Sequence, residues 1–307
     1  MKALPFLPLL LRRAGPRNAW LSSALLRATA LELVVLAGHA LIYPTGITDE
    51  RRAPPRPVAE PAPTPPGTTP LPGTYSGSSE NSENSGNTRH IGNTDRPPVV
   101  LLHGFIDNRS VFVLLRRSLA RHGWRHLESL NYSPLTCDIR TAAELLGRHV
   151  EEICARTGHH EVDIVGHSLG GLIARYYVQR LGGDRRVRTL VTLGTPHAGT
   201  AAAPLASAHP IVRQMRSGSA PIEELRLPAP GCRTRFVSFW SELDQVIVPA
   251  EAACVDHPDL DATNVRVSGI GHLALPVHPA VAAGVRQALD AHEPRNRTSF
   301  EHRAKAV

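Results

Sequence analysis

Between residues 98 and 291 the chain alternates short unbroken apolar runs with longer stretches whose apolar side chains recur every three or four positions. Unbroken runs predict buried strands, and the 3.6-residue rhythm predicts helices with one packed face. The run Val99-Val100-Leu101-Leu102 opens the series as the kind of strand that a parallel sheet, covered on both faces, requires. Residues 108–122 follow as a helix, with Val111, Leu114, Leu115 and Leu119 along one face. A short strand is predicted over 126–130. The long helix predicted over 139–157 carries Ala142, Leu145, Leu146, His149, Val150 and Ile153 in helical register. Further strands are predicted over 162–165, 187–193, 234–240 and 264–268, and further helices over 169–181 and 277–291. Strand and helix in alternation over roughly 200 residues describe an α/β domain with a mostly parallel sheet and helices on both faces.

Three regions break this alternation. Residues 1–47 form an apolar, basic leader, with one apolar run over 4–11 and a longer one over 19–43 that Arg27, Glu32 and His39 interrupt. Neither run is an uncharged membrane span of about 20 residues. The leader reads as a signal peptide with a poor cleavage site around Leu36-Ala37-Gly38-His39-Ala40, an uncleaved anchor or an amphipathic surface helix. Residues 48–97 are a linker. Nine prolines between positions 53 and 72 keep the first part extended, and the Ser, Gly, Asn and Glu that follow offer almost nothing to bury. Residues 199–230, rich in Ala, Pro and Ser, sit between two sheet strands. They read either as a small cap or lid insertion or as a surface loop with one helix, its apolar positions being Ile211, Val212 and Met215. The catalytic domain is accordingly expected over 98–292, with a polar tail over 293–307.

The chemistry concentrates where strands end. Gly166-His167-Ser168-Leu169-Gly170 lies between a β-branched run and a helical pattern, the setting in which such a pentapeptide forms a nucleophile elbow. Gly166 and Gly170 supply clearance where strand and helix approach closely, and Ser168 projects its hydroxyl. A serine hydroxyl needs a base, an orienting group for that base, and donors for the developing oxyanion. In this strand order the acid and then the histidine follow the nucleophile. Asp244, in the turn after strand 234–240, is the expected acid, and Glu242 its competitor. His272, on the loop Gly269-Ile270-Gly271-His272-Leu273, is the expected base, with His278 as rival. The oxyanion donors are expected to be the backbone N–H groups of Leu169 and Phe105. Gly104 lets the latter approach, and His103 braces its loop. His197, in Gly194-Thr195-Pro196-His197-Ala198-Gly199, precedes the acid and reads as active-site wall.

With these motifs in place, the chain resembles the bacterial lipase and esterase branch of the α/β-hydrolase superfamily over about residues 98–290. The resemblance rests on His103-Gly104-Phe105, Gly166-His167-Ser168-Leu169-Gly170-Gly171, Gly194-Thr195-Pro196-His197-Ala198-Gly199 and the Asp244 and His272 loops. It implies hydrolysis of carboxylic esters of lipids through an acyl-enzyme on Ser168. His272 would be base and then acid, with Asp244 as its orienter. Thioesterases and acyltransferases of the superfamily share such signals, and an acyltransferase using the same acyl-enzyme is the alternative. A non-catalytic binding module would lack one of these groups. Some lipases of this kind hold a structural calcium, but Asp256, Asp259 and Asp261 have no spacing that specifies a site. No metal or other cofactor is expected.

Composition adds little beyond this. The formal charge of +7 is spread without aromatic interleaving, which argues against nucleic acid as a partner. The basic residues do gather at the front, where Lys2, Arg12, Arg13, Arg17 and Arg27 all precede the first acidic residue, Glu32. That pattern, with the linker, points to a secreted or cell-surface protein that meets a membrane or lipid interface through residues 1–47. The four cysteines form no C-x-x-C pair. A Cys232–Cys254 bridge would pin the Asp244 segment and suit an exported protein. Cys137 and Cys154 mark opposite ends of one predicted helix, too far apart to bridge.

Overall fold

The computed structural model describes residues 19–46, 96–105, 107–131, 138–202 and 209–291. Residues 1–18 of the leader, most of the predicted linker, the tail over 293–307, Cys137 and residues 203–208 of the 199–230 segment lie outside the described residues. The elements are α1 (Ala19–Ile42), β1 (Val99–Leu102), α2 (Val113–Arg121), β2 (Leu127–Leu130), α3 (Ile139–Thr157), β3 (Val162–His167) and α4 (Leu169–Arg180). They continue with β4 (Val187–Leu193), α5 (Pro210–Gln214), α6 (Ala220–Glu224), β5 (Arg235–Trp240), β6 (Asp261–Arg266) and α7 (Pro279–Asp290).

The six strands form one parallel sheet in the order β2-β1-β3-β4-β5-β6. Each strand alternates its side chains between the two faces, and two cores result. Val100, Leu102, Ile164, Leu190 and Phe236 point to one side, where α3 and α4 cover them. Val99, Leu101, Val165, Val191 and Phe239 point to the other, under α2 and α7. Because both faces are covered, the central strands are buried at nearly every position, and β3 throughout.

Strand order reverses beside β1, since β2 lies on one side of it and all later strands on the other. In such sheets a crevice opens at the carboxyl ends of the strands next to the reversal. The loops after β1, β3, β5 and β6 all leave the sheet at that edge.

Several boundaries differ from the sequence pattern for identifiable reasons. The helix predicted over 108–122 begins as a 3₁₀ turn, Arg109–Phe112, before α2. The change of pitch turns Leu114 outward, 55% exposed, and puts Phe112 in the core. The last strand is 261–266 rather than 264–268. It is a polar, exposed edge strand with no apolar run to mark it, and its register comes from pairing with β5. In the described part of the 199–230 segment two short helices form where one was expected, and Ile211, Val212 and Met215 join the core on the α3 and α4 side. Within the leader, α1 runs unbroken from Ala19 to Ile42 through Arg27, Glu32 and His39. Its stretch Leu25–Ile42, with mean hydropathy 1.7, is long and apolar enough to cross a membrane.

The expected Cys232–Cys254 bridge is not formed, and Cys254 is a free thiol. Hydrogen bonds hold that segment instead. The Thr200 hydroxyl donates to the Val246 carbonyl and accepts from the Val248 amide, and the Ser238 hydroxyl donates to the Ala253 carbonyl.

One buried charge pair ties the sheet to α7. Asp163, fully buried on β3, accepts from the Arg188 guanidinium at 3.0 and 2.5 Å, and Arg188 also donates to the Leu289 carbonyl at 2.9 Å. Burial still pushes the Asp163 carboxyl above its ordinary pKa. Arg188→Met should therefore destabilise the fold by about 3 kcal/mol or more, because it strands a carboxylate in the interior. Urea unfolding measures this, and a loss below about 1 kcal/mol, the size of an exposed pair, would contradict it.

Candidate active site

Ser168 sits between β3 and α4 with φ 52° and ψ −119°. Among the described residues it is the only non-glycine at positive φ. Such a backbone is costly for an L-residue, and the surroundings hold it in place. The Ser168 amide donates to the Leu193 carbonyl at 2.9 Å, and the Thr195 hydroxyl donates to the Ser168 carbonyl at 2.9 Å. There is no room for the turn to relax. A Cβ at Gly166 would lie 2.5 Å from the backbone of Gly171, and one at Gly170 would lie 2.3 Å from the Leu102 carbonyl oxygen.

His272 and Asp244 meet at 2.7 Å between Nδ1 and Oδ2, both buried, although 28 residues separate them. The Asp244 carboxylate is itself fixed. Its other oxygen accepts the amides of Val246 and Ile247 at 2.8 and 2.9 Å, the Asx-type turn that a short side chain can make. Burial opposes a charge on His272. The adjacent Asp244 carboxylate, with Glu32 and Asp107 farther off, more than offsets this and holds its pKa above the ordinary histidine value.

The competing residues are placed elsewhere. Glu242 pairs with Arg266 on the exposed side of β5 and β6. His278 is the N-cap of α7, its ring accepting the Ala280 amide at 3.3 Å. His197 is buried in the loop after β4, where its ring meets the Thr192 hydroxyl at 3.0 Å and burial drives its pKa well below normal. The His197 carbonyl accepts from Arg175, a buried guanidinium whose pKa burial lowers to about 10. Arg175 also donates to the Leu225 carbonyl, so it joins the 194–199 loop to the end of α6.

The loop after β1 brings His103, Gly104 and Phe105 beside the elbow. A Cβ at Gly104 would lie 3.3 Å from the Ser168 Cβ. The His103 ring bonds the Gly104 carbonyl at 2.8 Å, and Phe105 packs on the His209 ring at 5.3 Å between centroids. Leu169, fully buried, opens α4, where the first N–H groups have no partner within the helix.

Three participants escaped the sequence pattern. Asp107 faces His167 Nδ1 at 3.2 Å, and the other nitrogen of His167 bonds the His272 carbonyl at 3.2 Å. His39 of α1 stands 3.8 Å from Asp107. Burial works against the Asp107 charge, but these histidines hold its pKa below the ordinary carboxylate value. Glu32, also of α1, bonds the loop that carries His272. The available signal was the seven-residue spacing of Glu32 and His39 on a mostly apolar helix, two turns apart on one face.

Among the described residues no cluster of three or more His, Cys, Asp or Glu side chains is arranged to hold a metal ion. Asp259 instead accepts the Ala229 amide at 2.7 Å.

The sequence and the fold have counterparts among known proteins. A sequence profile of the palmitoyl protein thioesterase family matches residues 98–226. Two triacylglycerol lipases, from Pseudarthrobacter phenanthrenivorans and Burkholderia plantarii, are each 30% identical over 112 residues, 34% of this chain. The match covers 34% and 31% of those proteins, so the chain spans about a third of the curated relatives' length. Among solved structures, lipase B of Aspergillus fumigatus superposes with a TM-score of 0.57 at 17% identity, over 64% of this chain and 53% of that one. Mature lipase BlEst2 of Bacillus licheniformis gives 0.55 at 16% identity, over 64% and 93%. The fold is that of the α/β-hydrolases.

The pairing of His272 with Asp244 can be read directly. In NMR titration the His272 ring should titrate above the ordinary histidine range, and Asp244→Asn should lower its pKa. An unmoved pKa would mean that Asp244 does not set the charge on this ring.

Proposed function

We propose that the protein is a serine hydrolase that cleaves carboxylic esters of lipids through an acyl-enzyme on Ser168. The observation that carries this reading is the combination of a strained serine at a strand-to-helix elbow with a buried Asp244–His272 pair at the same sheet edge. Ordinary structure gives no return for holding a serine at that backbone cost.

In the proposed cycle the free nitrogen of His272 takes the Ser168 proton as Oγ attacks the ester carbonyl carbon. The carbonyl π pair moves onto oxygen, and the N–H groups of Leu169 and Phe105 receive that oxyanion. When the pair returns, the bond to the leaving alkoxide breaks, and His272 gives the alkoxide its proton. Water then repeats the sequence on the acyl-enzyme, releasing the carboxylic acid and restoring Ser168. Asp244 keeps the His272 ring in one tautomer and stabilises its charged form. The raised pKa of His272 fixes the sign of the pH dependence, because only the neutral ring can accept the serine proton. Activity falls on the acid side, from a pH above the ordinary histidine range.

The match to palmitoyl protein thioesterases favours a second substrate class, long-chain acyl thioesters. The same steps apply with a thiolate as leaving group. For location, we propose a secreted or cell-surface protein that meets a membrane or lipid interface through residues 1–47. Support comes from the outward face of α1, where Leu26 and Leu41 are 69% and 81% exposed. At about 100° per residue these two lie within about 60° of each other around the helix.

The test is hydrolysis of p-nitrophenyl esters from acetate to palmitate, with palmitoyl-coenzyme A in parallel, by the full chain and by Ser168→Ala. The variant should lose on the order of 10³-fold or more in kcat. Equal rates in the two proteins would remove Ser168 from the mechanism. Preference for the thioester over the palmitate ester would select the second substrate class.

A further inference from the structure

We infer that Glu32, carried by α1, is a positioning residue for His272, so that the N-terminal helix forms part of the active site. The inference rests on the serine-hydrolase reading above.

Both oxygens of the Glu32 carboxylate are engaged. One accepts the Leu273 amide and the other the Ala274 amide, each at 2.9 Å. These are the two backbone N–H groups that directly follow His272, at the start of a turn where no repeating ladder would otherwise take them. The approach is close. A Cβ at Gly271 would stand 2.6 Å from the Glu32 carboxyl carbon, so a larger residue there would have to push this carboxylate aside.

A half-buried carboxylate that accepts two loop amides is an odd feature for a helix whose work is only to tether. Burial raises the Glu32 pKa, and the amides of Leu273 and Ala274 together with the nearby His272 counter that cost. A tether or a lipid-facing helix would do better with an apolar residue at this position. His39 extends the same face by two turns and reaches Asp107, whose partner His167 adjoins Ser168. One face of α1 therefore touches the loop after β6 and the loop after β1, on the two sides of the elbow. Tyr43, just past α1, adds a third tie by accepting from the Asn108 side chain at 2.8 Å.

The groups that face His272 come from four elements. Asp244 approaches from the β5 loop, Glu32 from α1 and Asp107 from the β1 loop. His167 of β3 stacks at 4.9 Å between ring centroids. Removing the Glu32 charge takes away one of three carboxylates that favour the protonated ring, so the His272 pKa should fall.

The experiment follows fluorophosphonate labelling of the full-length protein by intact mass, as a function of pH. In this reaction the Ser168 oxygen displaces fluoride from phosphorus, and the serine proton passes to His272. Wild type, Glu32→Gln, Ser168→Ala and Val34→Ser, the last on the exposed face of α1, are compared. Glu32→Gln should label roughly ten- to a hundredfold more slowly than wild type, the scale of a small misplacement of a reacting group. Its acid limb should move to lower pH, while Val34→Ser matches wild type. The position of the limb does not depend on the folded fraction, so a partly unfolded variant still reports. Labelling of Glu32→Gln at the wild-type rate with an unmoved limb overturns the inference and leaves the serine hydrolase standing. Equal slowing in Glu32→Gln and Val34→Ser, with no movement of the limb, also overturns it, because the helix would then act only as scaffold. No labelling of wild type overturns the serine-hydrolase reading and takes this inference with it.

Discussion

The turn at Ser168 is the constraint to which the sheet edge is built. A serine at φ 52° persists only if its neighbours leave it no alternative, and here they are mostly backbone, joined by the Thr195 hydroxyl. The Gly166 and Gly170 Cα atoms lie against Gly171 and the Leu102 carbonyl, so β3 and α4 cannot separate or twist without moving β1. The sheet is parallel and covered on both faces, and packing from both sides fixes its central strands. The same rigidity delivers Asp244 from β5 and His272 from beyond β6 to one edge.

Electrostatically the site balances opposing demands on one ring. Taking His272 out of water favours its neutral form, and three carboxylates at different distances favour the charged form. The closest, Asp244, cannot swing away, because two amides hold its second oxygen. A base that must accept a proton and return it within one cycle is served by such a balance, since neither protonation state is far out of reach. Arg175 works on a different problem. It joins two loop carbonyls across the pocket wall through a guanidinium that burial makes expensive to keep charged.

Much of this was legible in the sequence because it depends on local pattern. The apolar run at residues 99–102, the rhythm of residues 139–157 and the elbow each announce their structure within a dozen residues. Asp244 stood out because its turn follows an apolar strand directly, and His272 because glycines flank it at a strand end. What stayed hidden depends on distance or on absence of pattern. The contact between Glu32 and Leu273 spans 241 residues, and no local rule joins them. β6 has the sequence Asp-Ala-Thr-Asn-Val-Arg, and only its neighbour makes it a strand. Leu114 kept the helical spacing but not the helix phase, because a 3₁₀ turn came first. Cys232 and Cys254 bracket the acid as a bridge would, yet hydroxyl-to-backbone bonds hold that segment.

The docking of α1 gives the leader an unusual property. Its outward face is the one suited to lipid, and its inward face carries the carboxylate that the His272 loop leans on. Any event that draws the helix away, whether a bilayer that swallows it whole or a protease cutting near Ala37, leaves the amides of Leu273 and Ala274 without their acceptor. On the proposed reading, address and reactivity lie on opposite sides of a single helix. Under that proposal, where the protein resides and how its histidine behaves could not be altered independently.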